Sequence, residues 1–196
     1  MKSSLLVVED LRVVVDGKIV IDGVSARVGK GEVIALLGSN GSGKSSLAMT
    51  LMGHTAYSIQ RTAETKIELD GKDLLEMTSD ERAKTGLFVA WQNPVSIPGV
   101  SVFNLCRASY EAMGKTINTL TEFKKQLETL AQVVGLTPEH IGRNVNEGFS
   151  GGEKKRLELL QLLLLTPKLV ILDEMDSGLD SKGIGVVVAT VNEMKK

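Results

Sequence analysis

Cysteine occurs once in the chain, at Cys106. A single thiol closes no internal disulfide, and alone it holds neither a zinc ion nor an iron–sulfur cluster. The natural reading is a reducing cytosol, hence a cytoplasmic protein. Histidine occurs twice, at His54 and His140, and aromatic residues make up 4%. No stretch of about 18 apolar residues is present, so no transmembrane helix is expected. The densest apolar run, Leu157 to Leu165, contains Glu158 and Gln161 and reads as a buried helix. The opening apolar run is broken at once by Glu9 and Asp10, too soon for a signal peptide. Charge of one sign is lacking too: 23 basic against 24 acidic residues leave a net charge of −1. No global field therefore recruits nucleic acid or an anionic membrane, and any such partner must be met locally; no nucleic acid and no direct membrane insertion are expected.

What is present suffices for one large domain or a domain with a subdomain: 196 residues, 42% hydrophobic and 24% charged. Strands are expected at Leu5–Val8, Val13–Val15, Ile19–Ile21 and Val33–Leu37, with Asp16-Gly17 as a hairpin turn. Lys66–Leu69, turned by Asp70-Gly71, and Gly86–Trp91 read as further strands. Residues 93–145 then change period. Leu120, Phe123, Leu127, Leu130, Val133 and Val134 follow helical spacing, with Thr119 and Glu122 as a capping box and Gly135 as the stop. Thr137-Pro138 opens another short helix. Leu169–Leu172 does not alternate and reads as a fully buried strand. Parallel strands with helices on both faces are the expected core.

The strongest motif is Gly38-Ser39-Asn40-Gly41-Ser42-Gly43-Lys44-Ser45, which fits G-x-x-x-x-G-K-[ST]. A glycine-rich turn with an incidental lysine is the bland alternative. The expected strand Val33–Leu37 before it and the helix-compatible Ser46–Met52 after it argue for a phosphate loop. Glycines let backbone N–H groups curl around phosphate oxygens, and the helix N-terminus adds positive potential. Lys44 then serves the β- and γ-phosphates, and the Ser45 hydroxyl serves magnesium. Residues Gly38 to Ser46 are the expected nucleotide cradle.

Two carboxylates, Asp173 and Glu174, end the strand Leu169–Leu172. Asp-Glu at a strand end is commonly just a cap for the next segment. Beside a phosphate loop, Asp173 instead suits magnesium and Glu174 suits the base that polarises water. A third constellation is Phe149-Ser150-Gly151-Gly152-Glu153. Ser150 and Glu153 form a capping box by themselves, which is a purely structural reading. Two glycines in a first helical turn weaken the helix unless something must approach the backbone. A bare helix start is a second anion site, suited to the ATP of a partner chain.

In this order the phosphate loop, the "FSGGE" signature, the acidic pair and Ser177-Gly178-Leu179-Asp180 resemble an ABC ATPase. Phe88–Val102, Asn146–Gln161 and "LDEMDSGLD" look like the SufC type, which serves iron–sulfur cluster assembly; Phe149 and Glu153 are its variants of the signature. The resemblance covers essentially the whole chain. It implies an α/β P-loop NTPase core with an antiparallel β subdomain and a helical subdomain. Residues 1–92 and 160–196 would form the core, and 93–159 the helical subdomain carrying the signature. It implies ATP and Mg2+ as ligands, with Ser45, Gln92 and Asp173 around the metal and Glu174, Gln92 and Lys44 in catalysis. It also implies an ATP-dependent homodimer in which Ser150, Gly151, Gly152 and Glu153 serve the partner's nucleotide. SufB- and SufD-like scaffold proteins are the implied partners.

Against that pattern two residues are missing. No aromatic side chain stands at Val13–Val15 to stack on adenine, and no histidine follows the acidic pair to meet the γ-phosphate. The chain reads as C-terminally truncated, with a central strand absent between Val33–Leu37 and Leu169–Leu172. Both would then show unpaired backbone and apolar side chains. Two other functions stay open: the ATPase subunit of a membrane transporter, and a nucleotide-binding module that does not hydrolyse.

Overall fold

The computed structural model describes residues 4–175 and 179–194. They divide into two compact units, one of residues 4–89 with 168–171, the other of residues 90–167 with 172–194.

The first unit is built on a long antiparallel hairpin, β1 (Ser4–Val15) and β2 (Lys18–Gly29). Its turn is Asp16-Gly17, both at positive φ (49° and 76°), which matches the twist of a two-residue hairpin. The separate short strands expected here are one strand, because bulges absorb the breaks. One falls between Val8 and Leu11, where Asp10 stands at φ 41° and its N–H donates to Ser25 Oγ. Helix α1 (Lys44–Met52) follows, then β3 (Ser58–Ile59), β4 (Lys66–Leu69), β5 (Lys72–Asp73), α2 (Ser79–Lys84) and β6 (Leu87–Ala90). β3 and β4 pair antiparallel with β1, and β5 pairs with β4, completing a five-stranded sheet. Leu11, Val13, Ile67, Leu69 and Leu74 have no exposed surface and centre its core.

α1 is anchored at its C-terminus. The buried Arg82 guanidinium donates to Thr50 O and Leu51 O at 2.8 and 2.9 Å, a cation on the negative end of the helix. Gly53 ends the helix at φ 80°, and a Cβ there would meet Arg82 Nε at 3.0 Å.

The expected parallel core is only partly present. β6 pairs with β9 (Leu169–Leu172), and the two run parallel: Leu169 N–H donates to Gly86 O, and Asp173 N–H to Ala90 O. The larger sheet is antiparallel. Val33–Leu37 forms no strand: residues 32–39 have no regular structure. Val33, Ile34, Leu36 and Leu37 are 57, 51, 56 and 87% exposed. An apolar run becomes a strand only when a ladder takes up its backbone groups, and no described strand pairs with this one.

The second unit is mainly helical, as the periodicity from Thr119 onward implies. It comprises β7 (Ile97–Ser101), α3 (Val102–Ala112), α4 (Leu120–Val134), α5 (Pro138–Gly142), β8 (Asn144–Val145), α6 (Gly151–Leu165) and α7 (Ser181–Met194). α4 presents Phe123, Leu127, Ala131 and Val134 inward and packs on α6, whose Leu157 and Leu160 are fully buried. Thr119 Oγ1 accepts from Glu122 N–H, and Gly135 closes α4 at φ 78°. Arg156 Nη1 donates to Val134 O, satisfying a carbonyl at that end. α6 in turn ends under Lys115, whose Nζ donates to Leu164 O, Leu165 O and Thr166 Oγ1. Cys106 is buried in this unit, and burial pushes its thiol up to about 12, so it is inert as a nucleophile.

Candidate active site

The phosphate-loop residues lie in the first unit, directly before α1. Gly43 is the N-cap at φ 93°, and no side chain caps the helix, so its first-turn N–H groups have no side-chain acceptor. That is the electrostatic condition for an anion. Gly43 is sterically required, whereas the contact at Gly38 is with a side-chain hydroxyl that can rotate away. A Cβ on Gly43 would meet Val20 O at 2.8 Å, and one on Gly38 would meet Ser42 Oγ at 2.6 Å. Ser42 N–H donates to Ser39 O and closes the turn. Lys44 Nζ folds back on the loop, donating to Gly38 O at 2.8 Å and Ser39 O at 2.9 Å. The ammonium is thus held against the same loop whose N–H groups would take phosphate. Asn40 and Gly41 form the exposed tip, and Ser45 and Ser46 stand in the first turn of α1. These residues fit a phosphate group.

The remaining candidates lie in the second unit. Gln92 follows β6 and Glu174 follows β9, and Gln92 Nε2 donates to Glu174 Oε2 at 2.5 Å. Glu174 takes a left-handed backbone, φ 50°, which swings the chain out of the strand direction directly after Asp173. Asp173 is half-buried at the end of β9. Among the described residues no cluster of three or more His, Cys, Asp or Glu forms. The donors expected around magnesium are instead a hydroxyl, an amide oxygen and one carboxylate, all hard oxygens of the kind that magnesium takes together with phosphate.

Ser150 caps α6 as its capping box requires. Ser150 Oγ accepts from Glu153 N–H at 3.3 Å, and Glu153 Oε2 accepts from Ser150 N–H at 2.8 Å. The bond from the Ser150 backbone holds the Glu153 carboxyl below its usual range, helped by the Ser150 hydroxyl and by His140, whose Nε2 lies 3.2 Å from Oε1. Phe149 is buried beneath the edge of the His140 ring and the Arg143 guanidinium. His140 is therefore a helix-turn residue of α5, as its sequence position implies, and His54 stands exposed beyond the end of α1. Of the D-loop, Ser177 and Gly178 lie outside the described residues. Asp180 caps α7 through Gly183 N–H and pairs with Arg156.

Two residues here escaped the sequence reading. Lys155 Nζ donates to Trp91 O at 3.2 Å and to Glu174 O at 3.0 Å. Glu158 Oε1 accepts from Trp91 N–H at 2.8 Å. The available signal was Glu158, a carboxylate flanked by Leu157 and Leu159, three residues after Lys155 on the same helix.

A family profile described as "ABC transporter" matches residues 21–177. Vegetative protein 296 of Bacillus subtilis (strain 168) is 43% identical over 198 residues, covering 100% of this chain and 74% of that protein. A probable ATP-dependent transporter, ycf16, of Cyanophora paradoxa is 42% identical, covering 98% of this chain and 75% of its own length. Among solved structures, the ATP binding subunit of an ABC transporter superposes with a TM-score of 0.81 at 26% identity, over 97% of this chain and 75% of that one. The chain belongs to the ABC transporter ATPase family. It is an ATP-binding cassette with the P-loop NTPase fold. No helix among the described residues is long and apolar enough to cross a membrane.

Proposed function

We propose that this chain is a SufC-type ATPase, cytoplasmic, hydrolysing Mg-ATP in an ATP-held homodimer to drive conformational change in a SufB- and SufD-like scaffold. The observation that favours this reading is the pair Phe149 and Glu153, the SufC-type variants of the signature. Each has its own partner in the fold: Glu153 bonds Ser150 N–H and faces His140, and Phe149 packs on His140 and Arg143. The variant signature and the helix before it thus form one interlocking unit within the helical subdomain, residues 93–159.

In this reading the loop from Gly38 to Ser46 binds the phosphates, with Lys44 on the transferred group. Glu174 accepts a proton as water oxygen bonds to the γ-phosphorus and the bond to the β–γ bridging oxygen breaks, releasing ADP and phosphate. Gln92, already bonded to that carboxylate, orients the water. By the resemblance, Ser45, Gln92 and Asp173 are the residues that would hold magnesium, which would supply charge neutralisation to the phosphates when bound. Ser150, Gly151 and Gly152 offer the start of α6 to the γ-phosphate of the other protomer, with Glu153 fixing that turn.

A second reading, the ATPase subunit of a membrane transporter, is favoured by the names of relatives. A probable ABC transporter ATP-binding protein of Streptococcus pyogenes is 43% identical over 195 residues. Affinity purification from cells under native conditions separates the two. Recovery of SufB- and SufD-like proteins without detergent supports the first. A detergent-dependent complex with an integral membrane permease overturns it.

A further inference from the structure

Glu158 lies on α6 among Leu157, Leu159 and Leu160, and only 6% of its surface is exposed. A carboxylate there is costly, and a leucine would fill the same space without desolvation. Its Oε1 accepts the Trp91 N–H at 2.8 Å, while Oε2 is buried with no partner among the described residues. One turn earlier Lys155, also buried, donates to the carbonyl of the same residue, Trp91 O, at 3.2 Å. Both backbone groups of Trp91 are therefore gripped from one helix. Trp91 is the residue between the end of β6 and Gln92, whose side chain is bonded to Glu174.

We propose that Glu158 is a positioning residue for hydrolysis: by taking the Trp91 N–H it fixes the backbone step that aims Gln92 at Glu174. Through it the helix that begins with the signature, Ser150 to Glu153, sets the water-handling pair of its own chain. The proposal rests on the roles given above to Gln92 and Glu174. It adds a residue that touches neither nucleotide nor water.

Glu158→Leu, Glu158→Asp and Glu158→Gln are compared with wild type, Gln92→Ala and Glu174→Gln by steady-state ATPase assay, per folded molecule measured by thermal melting. Trp91 is the only tryptophan, so its emission reports on this junction independently of turnover. Glu158→Leu removes the acceptor and Glu158→Asp withdraws it by one methylene. Both are expected to lower kcat about tenfold or more with KM for ATP unchanged, because misplacement affects the reacting geometry and not the phosphate cradle. Glu158→Gln keeps an acceptor oxygen, and its kcat and Trp91 emission are expected to stay close to wild type. Wild-type kcat in Glu158→Leu or Glu158→Asp, or equal loss in Glu158→Gln, overturns the proposal while Gln92→Ala and Glu174→Gln remain inactive. Full activity in those two variants overturns the site reading itself.

Discussion

Gln92 Nε2 and Glu174 Oε2 meet at 2.5 Å, joining the residue two positions beyond β6 to the residue two positions beyond β9. The contact brings together an amide that can orient water and a carboxylate that can take its proton. Glu174→Gln keeps the size of the side chain and removes the charge. Turnover is expected to fall at least about a hundredfold while Mg-ATP still binds, and the ATP-bound dimer accumulates. Steady-state rates and size-exclusion chromatography with ATP check this. Turnover at the wild-type rate removes Glu174 as the base.

Lys44 Nζ donates to two carbonyls of its own loop, Gly38 O and Ser39 O. Lys44→Ala is expected to weaken Mg-ATP binding at least about tenfold, near 1.4 kcal/mol. Lys72→Ala, on the exposed strand β5, leaves binding unchanged. Titration calorimetry of both variants gives the comparison, and equal affinities defeat the phosphate-loop assignment.

Much of this was legible in sequence because it depends on spacing. The phosphate loop, the capping box of Ser150 and Glu153 and the helix from Leu120 are patterns of neighbours within a turn or two. Val33–Leu37 shows the limit. Its apolar run has strand propensity, but a strand needs a ladder, and pairing is a property of distant segments. The β1–β2 hairpin shows the converse, since bulges at residues such as Asp10 carry one strand across breaks in the hydrophobic alternation. Glu158 was hidden for a third reason. In sequence it is a polar interruption of a leucine-rich helix, and only the fold brings the Trp91 N–H, 67 residues away, to it.

Gly43 and Gly41 both take positive φ, 93° and 82°, but their surroundings differ. A Cβ on Gly43 would meet Val20 O at 2.8 Å, whereas one on Gly41 would meet nothing within 4 Å. Gly41→Ala is expected to cost only the backbone strain, about 1–2 kcal/mol. Gly43→Ala must also displace β2 or the start of α1, so its cost is larger and nucleotide affinity falls with it. Urea midpoints of the two variants rank them, and equal losses would show that the Val20 contact does not constrain the loop.

The buried Glu158 carboxyl makes stability depend on pH. Burial raises it from its ordinary 4.5 to about 7, with the Trp91 N–H and Lys155 pulling the other way. In the fold the carboxyl therefore keeps its proton over a range where the unfolded chain has lost it. Its favourable contribution is complete below about pH 4.5, declines as pH rises, and is gone above about pH 7. Glu158→Gln is neutral at every pH and lacks this slope. The stability of Glu158→Gln relative to wild type is expected to rise between pH 5 and pH 8, by on the order of 3 kcal/mol. Other titrating groups are common to both proteins and cancel in the difference. Urea unfolding of the pair across that range measures it. A constant difference would mean that Glu158 ionises as freely in the fold as in the unfolded chain, and that Lys155 and the Trp91 N–H fully offset its burial.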